Sequence, residues 1–188
     1  MGMSKNEDDL KLVADNNDAS SKKDKKFRKR KKGVYRKIVG QIEFYLSDAN
    51  LRHSKFLLPI YQKDPWIPLK LLLTFNKVAS MLSEIIDPES SDVVKVAELE
   101  KALSYVESNE IKLSDCKSKV TRRNDFMPSS SSDIDSRTIY AENLPPDADH
   151  DFIRSVFVPY GEVVYVSMPK FKSGRSKGFA FIEFKEEL

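Results

Sequence analysis

Residues 177–184 read Lys-Gly-Phe-Ala-Phe-Ile-Glu-Phe. Side chains of an extended chain alternate between two sides, so Phe179 and Phe181 share one face while Ala180, Ile182 and Phe184 share the other. A strand that only lines a core needs one apolar face. This one has two, behind a Lys-Gly start. The second set packs under helices, and the first is left to do something else. Ile139 to Leu144 supplies a companion strand in which Tyr140 would lie next to Phe179 and Phe181. Aromatic rings on an open sheet face let nucleobases stack, for about 1–3 kcal/mol each. Lys177 can reach a phosphate from the same strand.

The octapeptide matches the RNP1 signature of the RNA recognition motif at every defined position, and Ile139–Leu144 resembles its partner, RNP2. The surrounding pattern is strand, helix, strand, strand, over Thr138–Glu142, Asp149–Val158, Val163–Met168 and Gly178–Phe184. The ferredoxin-like fold that this resembles has a second helix and a fourth strand after these. The sequence given runs to Leu188, so the expectation is a motif truncated after its third strand and a natural protein that continues further. Such a sheet face binds RNA or serves as a protein contact, and the pattern leaves both open.

Upstream, Tyr35, Ile38, Val39, Ile42 and Leu46 recur at helical spacing and form one buried stripe. Asp48-Ala49-Asn50 breaks that pattern. A second helix from His53 or Ser54 carries Phe56, Leu57 and Ile60, with Pro59 kinking it or leaving a carbonyl unpaired. Trp66-Ile67 reads as extended, and Pro68 opens a third helix through Leu82 with Leu69, Leu72, Leu73 and Leu82 inward. Ile85–Asp92 is an acidic connection. Val93, Val96, Leu99 and Leu103 mark a further helix, and Glu110–Ser114 and Lys119–Arg123 a hairpin. Helices closed by a small hairpin suggest a winged helix. The fold class is therefore α+β, with a winged helix over 34–123, a linker over 124–136 containing Pro128 and Ser129–Ser132, and the second domain over 137–188.

Charge is unevenly placed. The chain has 32 basic and 29 acidic residues, yet nine of the eleven positions from Lys22 to Lys32 are Lys or Arg. Without that run, 23 basic residues face 28 acids, so polyanion contacts belong to chosen faces and to this tail. Residues 1–33 read as a disordered basic arm. Lys25, Lys26, Arg28, Lys29, Arg30, Lys31 and Lys32 suit nuclear import, phosphate contact or both, and a nuclear location is expected. Cys116 is the sole cysteine, which excludes an intrachain disulfide. No apolar run is long enough for a membrane span, so a soluble intracellular protein without a membrane partner is expected. His53 and His150 are the only histidines and stand far apart, and the six glycines form no phosphate loop. No catalytic set, metal or cofactor is expected; the chain does not read as an enzyme.

On a helical wheel Lys37, Gln41, Phe44 and Tyr45 fall beside the apolar stripe, with Phe44 nearly opposite its centre. A large aromatic there meets a ligand, or packs against the wing or the next helix. The stretch Gln41–Leu51, then Lys55-Phe56-Leu57, Trp66-Ile67-Pro68-Leu69 and Phe75-Asn76-Lys77 are similar to the La motif at its usual spacing. A La motif followed by an RNA recognition motif resembles the La module, from about Val34 to Leu188. Within the La-related protein family, Gly161–Pro169, Lys172-Ser173-Gly174 and the Lys-rich arm resemble the La-related protein 7 subfamily.

That resemblance implies a winged helix holding the 3′ end of RNA that terminates in uridines with a free hydroxyl. The family's ligand-holding positions correspond to Gln41, Phe44, Tyr45, Phe56, Phe75 and Asn76. These residue types fit such a ligand. An amide complements both the donor and the acceptors of a uracil edge, and aromatic rings stack on bases. Ser54 departs from the family, which usually has an acid there, thought to receive the ribose hydroxyl. A neutral hydroxyl accepts without charge assistance, so discrimination of a free 3′ hydroxyl is weaker, or Asp48 takes over. Pro59 and the long Ile85–Asp92 connection are also atypical.

The function implied is protection of oligouridine ends on small RNA-polymerase-III transcripts. By resemblance to the subfamily, the RNA is 7SK small nuclear RNA in a particle that restrains a transcription-elongation kinase, with that kinase complex and a capping methyltransferase as partners. One alternative is a genuine La-type chaperone of many such transcripts. Another class is a winged-helix DNA-binding transcription factor, but Leu69–Leu82 is largely apolar, with Lys70, Asn76 and Lys77 its main polar contributors.

Overall fold

The structure, a computed structural model, describes residues 7–128 and 130–187, with side chains from residue 25 onward. In chain order its elements are α1 (Glu7–Leu46), α2 (Asp48–His53), α3 (Leu57–Lys63), β1 (Ile67–Pro68), α4 (Leu69–Leu72), α5 (Asn76–Ser83), α6 (Asp92–Tyr105), β2 (Ile111–Leu113), β3 (Lys119–Arg122), α7 (Ser131–Ser136), β4 (Thr138–Glu142), α8 (His150–Phe157), β5 (Val163–Ser167) and β6 (Phe179–Phe184), with a 3-10 turn at Val158–Tyr160. They form two compact units: Met1–Glu43 with Pro65–Arg123, and Phe44–Asp64 with Asn124–Leu188. This division departs from the sequence-based one at residues 44–64. Helical periodicity shows that a face is buried but not what buries it.

The expected stripe is buried: Tyr35, Ile38, Val39 and Ile42 in the first unit are at most 7% exposed, with Val34 beside them, and Leu46, in the second, is 1% exposed. The arm expected to be disordered is helical from Glu7, continuous with this stripe; its first six residues lie outside the described residues. No proline interrupts the segment, and Lys and Arg lose little side-chain freedom in a helix. Its inner end is fastened. Lys31 Nζ lies 2.6 Å from Glu98 Oε1, and Lys32 Nζ sits 5.3 Å from the centre of the Tyr105 ring.

The single helix expected from Pro68 to Leu82 is two helices, α4 and α5. Thr74 Oγ1 donates to the Leu71 carbonyl at 2.7 Å, and Phe75 turns extended before α5 begins. Side-chain bonding of this kind weakens and bends helices. Leu69, Leu72, Val78 and Leu82 are fully buried, each contributing about 1.5–3 kcal/mol, while Leu73 is only half-buried.

On α6, the helix that Val93, Val96, Leu99 and Leu103 mark, Val93 is 77% exposed, and Glu98, an acid, is 4% exposed. Its burial has a cause. Tyr35 Oη donates to Glu98 Oε1 at 2.6 Å, and Lys101 Nζ lies 3.4 Å from Oε2. Burial pushes the Glu98 carboxyl up, but Lys31, Tyr35 and Lys101 outweigh it and hold the group below its usual range. The hairpin completes the unit in a sheet ordered β1-β3-β2, with Ile67 and Leu113 both opposite Val120.

In the second unit the sheet is ordered β4-β6-β5, all antiparallel. Ile153 of α8 packs with Val163, Val166, Met168, Ala180, Ile182 and Phe184 beneath it. Asp149 caps α8 by accepting the Phe152 N–H at 2.7 Å. Residues 48–50 were expected to break the helical pattern, but only Ser47 does, and its Oγ accepts the Asn50 N–H to start α2. Pro59 neither kinks nor breaks α3. It is the helix's third residue, where an N–H has no intrahelical acceptor in any case. Part of the expected linker is also ordered: Ser130 Oγ accepts the Asp133 N–H and α7 follows. Ser129 of that linker and the terminal Leu188 lie outside the described residues.

Candidate nucleic-acid interface

Strands β4 and β6 pair with Tyr140 opposite Phe181 and Glu142 opposite Phe179. Cross-strand neighbours share a face, so the three rings form one cluster. Tyr140 lies 5.6 Å from both Phe179 and Phe181, which are 5.9 Å apart. Tyr140 is 54% and Phe181 42% exposed, while Ala180, Ile182 and Phe184 on the other face are at most 1% exposed. One strand thus holds the core with one set of side chains and displays stacking surface with the other. Tyr140 Oη donates to Glu142 Oε2 at 3.2 Å, which orients the ring.

Gly178 opens β6 at φ +79°, a conformation that a side chain would strain. Its carbonyl accepts the Leu144 N–H, joining the ends of β4 and β6. In the β5–β6 loop, Arg175 and Lys177 stand 5.4 and 5.6 Å over the Phe171 ring. Both cations are exposed and can meet phosphates.

A third row on this face escaped the sequence reading. Glu183 lies between Thr138 and Tyr165 and is 3% exposed. Arg52 Nη2 is 2.5 Å and Arg137 Nη2 2.9 Å from its Oε1. The His53 ring stacks on Tyr165, 4.4 Å away and 15° from parallel. An acid in phase with Phe179 and Phe181 is a visible signal that cations must meet that face. Which cations, from elsewhere in the chain, is not.

The La-type positions are placed as follows. In the first unit, Gln41 is half-buried on α1, Phe75 is half-buried at the start of α5, and Asn76 is exposed at its first position. In the second unit, the Phe44 and Tyr45 rings are 6.0 Å apart and the Arg154 guanidinium lies 5.6 Å over Phe44. Burial pushes the Tyr45 hydroxyl up. Phe56 is 52% exposed. Ser54 Oγ accepts the Leu57 N–H at 3.0 Å, and Asp48 Oδ1 accepts the Met127 N–H at 3.2 Å. Each of these two oxygens therefore already serves the backbone. On the arm, Lys25, Lys26, Arg28, Lys29 and Arg30 are exposed. Among the described residues no cluster could hold a metal ion, and no helix is long and apolar enough to cross a membrane.

Residues 38–99 match the La domain model and residues 139–188 the RNA recognition motif model. La-related protein 7 of Danio rerio is 35% identical over 90% of this chain and 29% of its own length. La-related protein 7 of Xenopus tropicalis is 38% identical over 90% of this chain and 27% of its own. The chain belongs to the La-related protein family. The La protein homolog of Drosophila melanogaster is also similar, 32% identical over 80% of this chain and 39% of that one.

This La-related chain spans under a third of the two La-related protein 7 sequences. Both matched domains are RNA-binding types, and neither is an enzyme family. The ring cluster offers flat faces on which bases can stack, and the cations around it can meet phosphates. Glu183 lies within the octapeptide and Tyr165 within Gly161–Pro169, but no sequence motif gave Arg52, His53, Arg137, Tyr165 or Glu183 a role in this site.

Proposed function

We propose that this La-related protein binds the uridine-rich 3′-hydroxyl end of small RNA-polymerase-III transcripts, with a 7SK-type RNA as its ligand. The Tyr140, Phe179 and Phe181 cluster carries the RNA-binding part of this reading: three rings within 5.9 Å of one another, two of them well exposed. Stacking is sequence-tolerant, because every base has a flat face. Selectivity for uridine and for a terminal hydroxyl has to come from side chains that hydrogen-bond base edges and ribose. Gln41, Tyr45 and Asn76 supply those groups, with Phe44, Phe56 and Phe75 as stacking surfaces.

The protein acts in the nucleus as part of a ribonucleoprotein regulating transcription elongation, with an elongation-kinase complex and a capping methyltransferase as neighbours. Likeness to La-related protein 7 and the exposed basic residues of the arm support this. The likeness to a La protein homolog favours a second reading, a general chaperone of polymerase III transcripts. Titration with labelled RNA ending in UUU, with a hydroxyl or a phosphate at the 3′ end, and with oligoadenosine tests the core of the proposal. The hydroxyl-ended uridine oligomer is expected to bind tightest, and equal affinity for all three would overturn it. RNA recovered by crosslinking in cells separates the two readings: one dominant 7SK-type species, or many precursors.

A further inference from the structure

The sheet face has three cross-strand rows. In the first two, Tyr140, Phe181 and Glu142 are exposed and Phe179 is half-buried. The third, Thr138–Glu183–Tyr165, is covered by the end of α2. Here Arg52 meets Glu183 and the His53 ring lies almost parallel to Tyr165 at 4.4 Å. Phe181 is 42% exposed, and Glu183, the next residue on the same side, only 3%. A boundary between open and closed sheet therefore falls between residues 181 and 183.

We propose that α2 is a stop that ends the nucleotide track on this sheet: bases stack on Tyr140, Phe181 and Phe179 and are kept off Tyr165. The inference rests on the reading that the face takes RNA. Tyr165 has the ring, the strand position and the orientation of a further stacking surface, on the outer strand of the same face. His53 occupies it in the geometry that a base would adopt, a flat ring offset-stacked at short distance. Arg52 fixes the stop through a carboxylate.

Charge supports the same assignment. An uncovered acid in the middle of an RNA-binding face repels phosphates. Two guanidinium groups converge on Glu183 Oε1, so the cluster of one acid and two arginines carries net positive charge. The covered row becomes a cationic border to the track instead of a repulsive spot within it. The track is short, and its length is set by a helix outside the RNA recognition motif.

Photocrosslinking the full chain to 4-thiouridine-containing oligouridine, followed by mass spectrometry of the adducts, tests the stop. In the natural sequence, adducts are expected at Tyr140, Phe179 or Phe181 and none at Tyr165. His53→Ala, which bares the Tyr165 ring and keeps the Arg52–Glu183 pair, should bring adducts to Tyr165. Arg52→Ala/His53→Ala should bring more, with Arg137 still paired to Glu183. Thermal melts of each variant establish that it is folded. Tyr165 adducts in the natural sequence overturn the stop, as does their absence from both variants while Tyr140 and Phe181 still crosslink. No adduct on any of the three platform rings would instead remove the track, and the stop along with it.

Discussion

The Lys31 ammonium lies 2.6 Å from Glu98 Oε1, and the same oxygen accepts the Tyr35 hydroxyl at 2.6 Å. Lys31 belongs by sequence to the basic run, and by contact to the buried middle of α6. The last residues of the arm are therefore structural, while Lys25 to Arg30 remain exposed. A buried ion pair adds little net stability over an apolar pair, but breaking one strands a charge, and that is costly.

Replacing Glu98 with Gln should lower stability by about 1.5–3 kcal/mol, the range for a hydrogen bond to a charged group. It should also alter the acid response. Glu98 is held below its ordinary value of 4.5, so the folded state binds fewer protons than the unfolded one. The stability this provides is complete above that value and lost as pH falls through the folded pKa. Urea unfolding between pH 7 and pH 3 should show the two proteins converging at the acid end. A constant difference across the range would mean that Glu98 does not titrate as described.

Tyr140→Ala and Phe181→Ala should each weaken RNA binding by about 1–3 kcal/mol, the worth of one stacked base. Both rings are exposed, so the melting temperature should hardly move. Ile182→Ala is the opposite case. Its side chain is fully buried on the other side of β6, and its loss should cost about 2–5 kcal/mol of stability. Paired melts and binding titrations separate the two sides of one strand.

How far the sequence foretold this is itself physical. The period-2 alternation of β6 was readable because each residue's face follows from its parity, and the pairing with β4 then brought Tyr140 to Phe181. The stripe on α1 was readable from the 3.6-residue repeat. Three things were not. The helix break at Leu73–Phe75 comes where Phe75 turns extended, inside an apolar run whose periodicity carries no stop signal. Glu98 reads as a surface acid unless Tyr35 and Lys31 are known to meet it. The covering of Glu183 by Arg52 joins residues far apart in the chain, and no local pattern encodes such a pair.

The exposed arm residues make a separable electrostatic prediction. Neutralising Lys25, Lys26, Arg28, Lys29 and Arg30 with Gln, which keeps helix propensity, should abolish nuclear accumulation of a tagged protein. In vitro it should flatten the dependence of binding on salt. Each phosphate contact on single-stranded RNA contributes about 0.7 to the slope of log K against log salt, so five lost contacts would remove up to about 3.5. An unchanged slope with lost import would assign the arm to transport alone.

Ser54 is where a designed gain is expected. Its Oγ already accepts the Leu57 N–H, and an Asp carboxylate accepts a backbone N–H as well as a Ser hydroxyl does. Ser54→Asp should therefore keep α3 intact with one carboxylate oxygen and leave the second for a ribose hydroxyl. A hydrogen bond to a charged acceptor is worth about 1.5–3 kcal/mol against 0.5–1.5 for a neutral one. The preference for 3′-hydroxyl over 3′-phosphate oligouridine should rise by about fivefold or more, helped by repulsion between carboxylate and phosphate. Gln41→Ala should instead weaken both oligomers, because a base edge is the same whatever follows the ribose. If the Ser54→Asp ratio stays at the natural value in a protein with an unchanged melt, residue 54 does not face the terminal ribose and the 3′ end is read elsewhere.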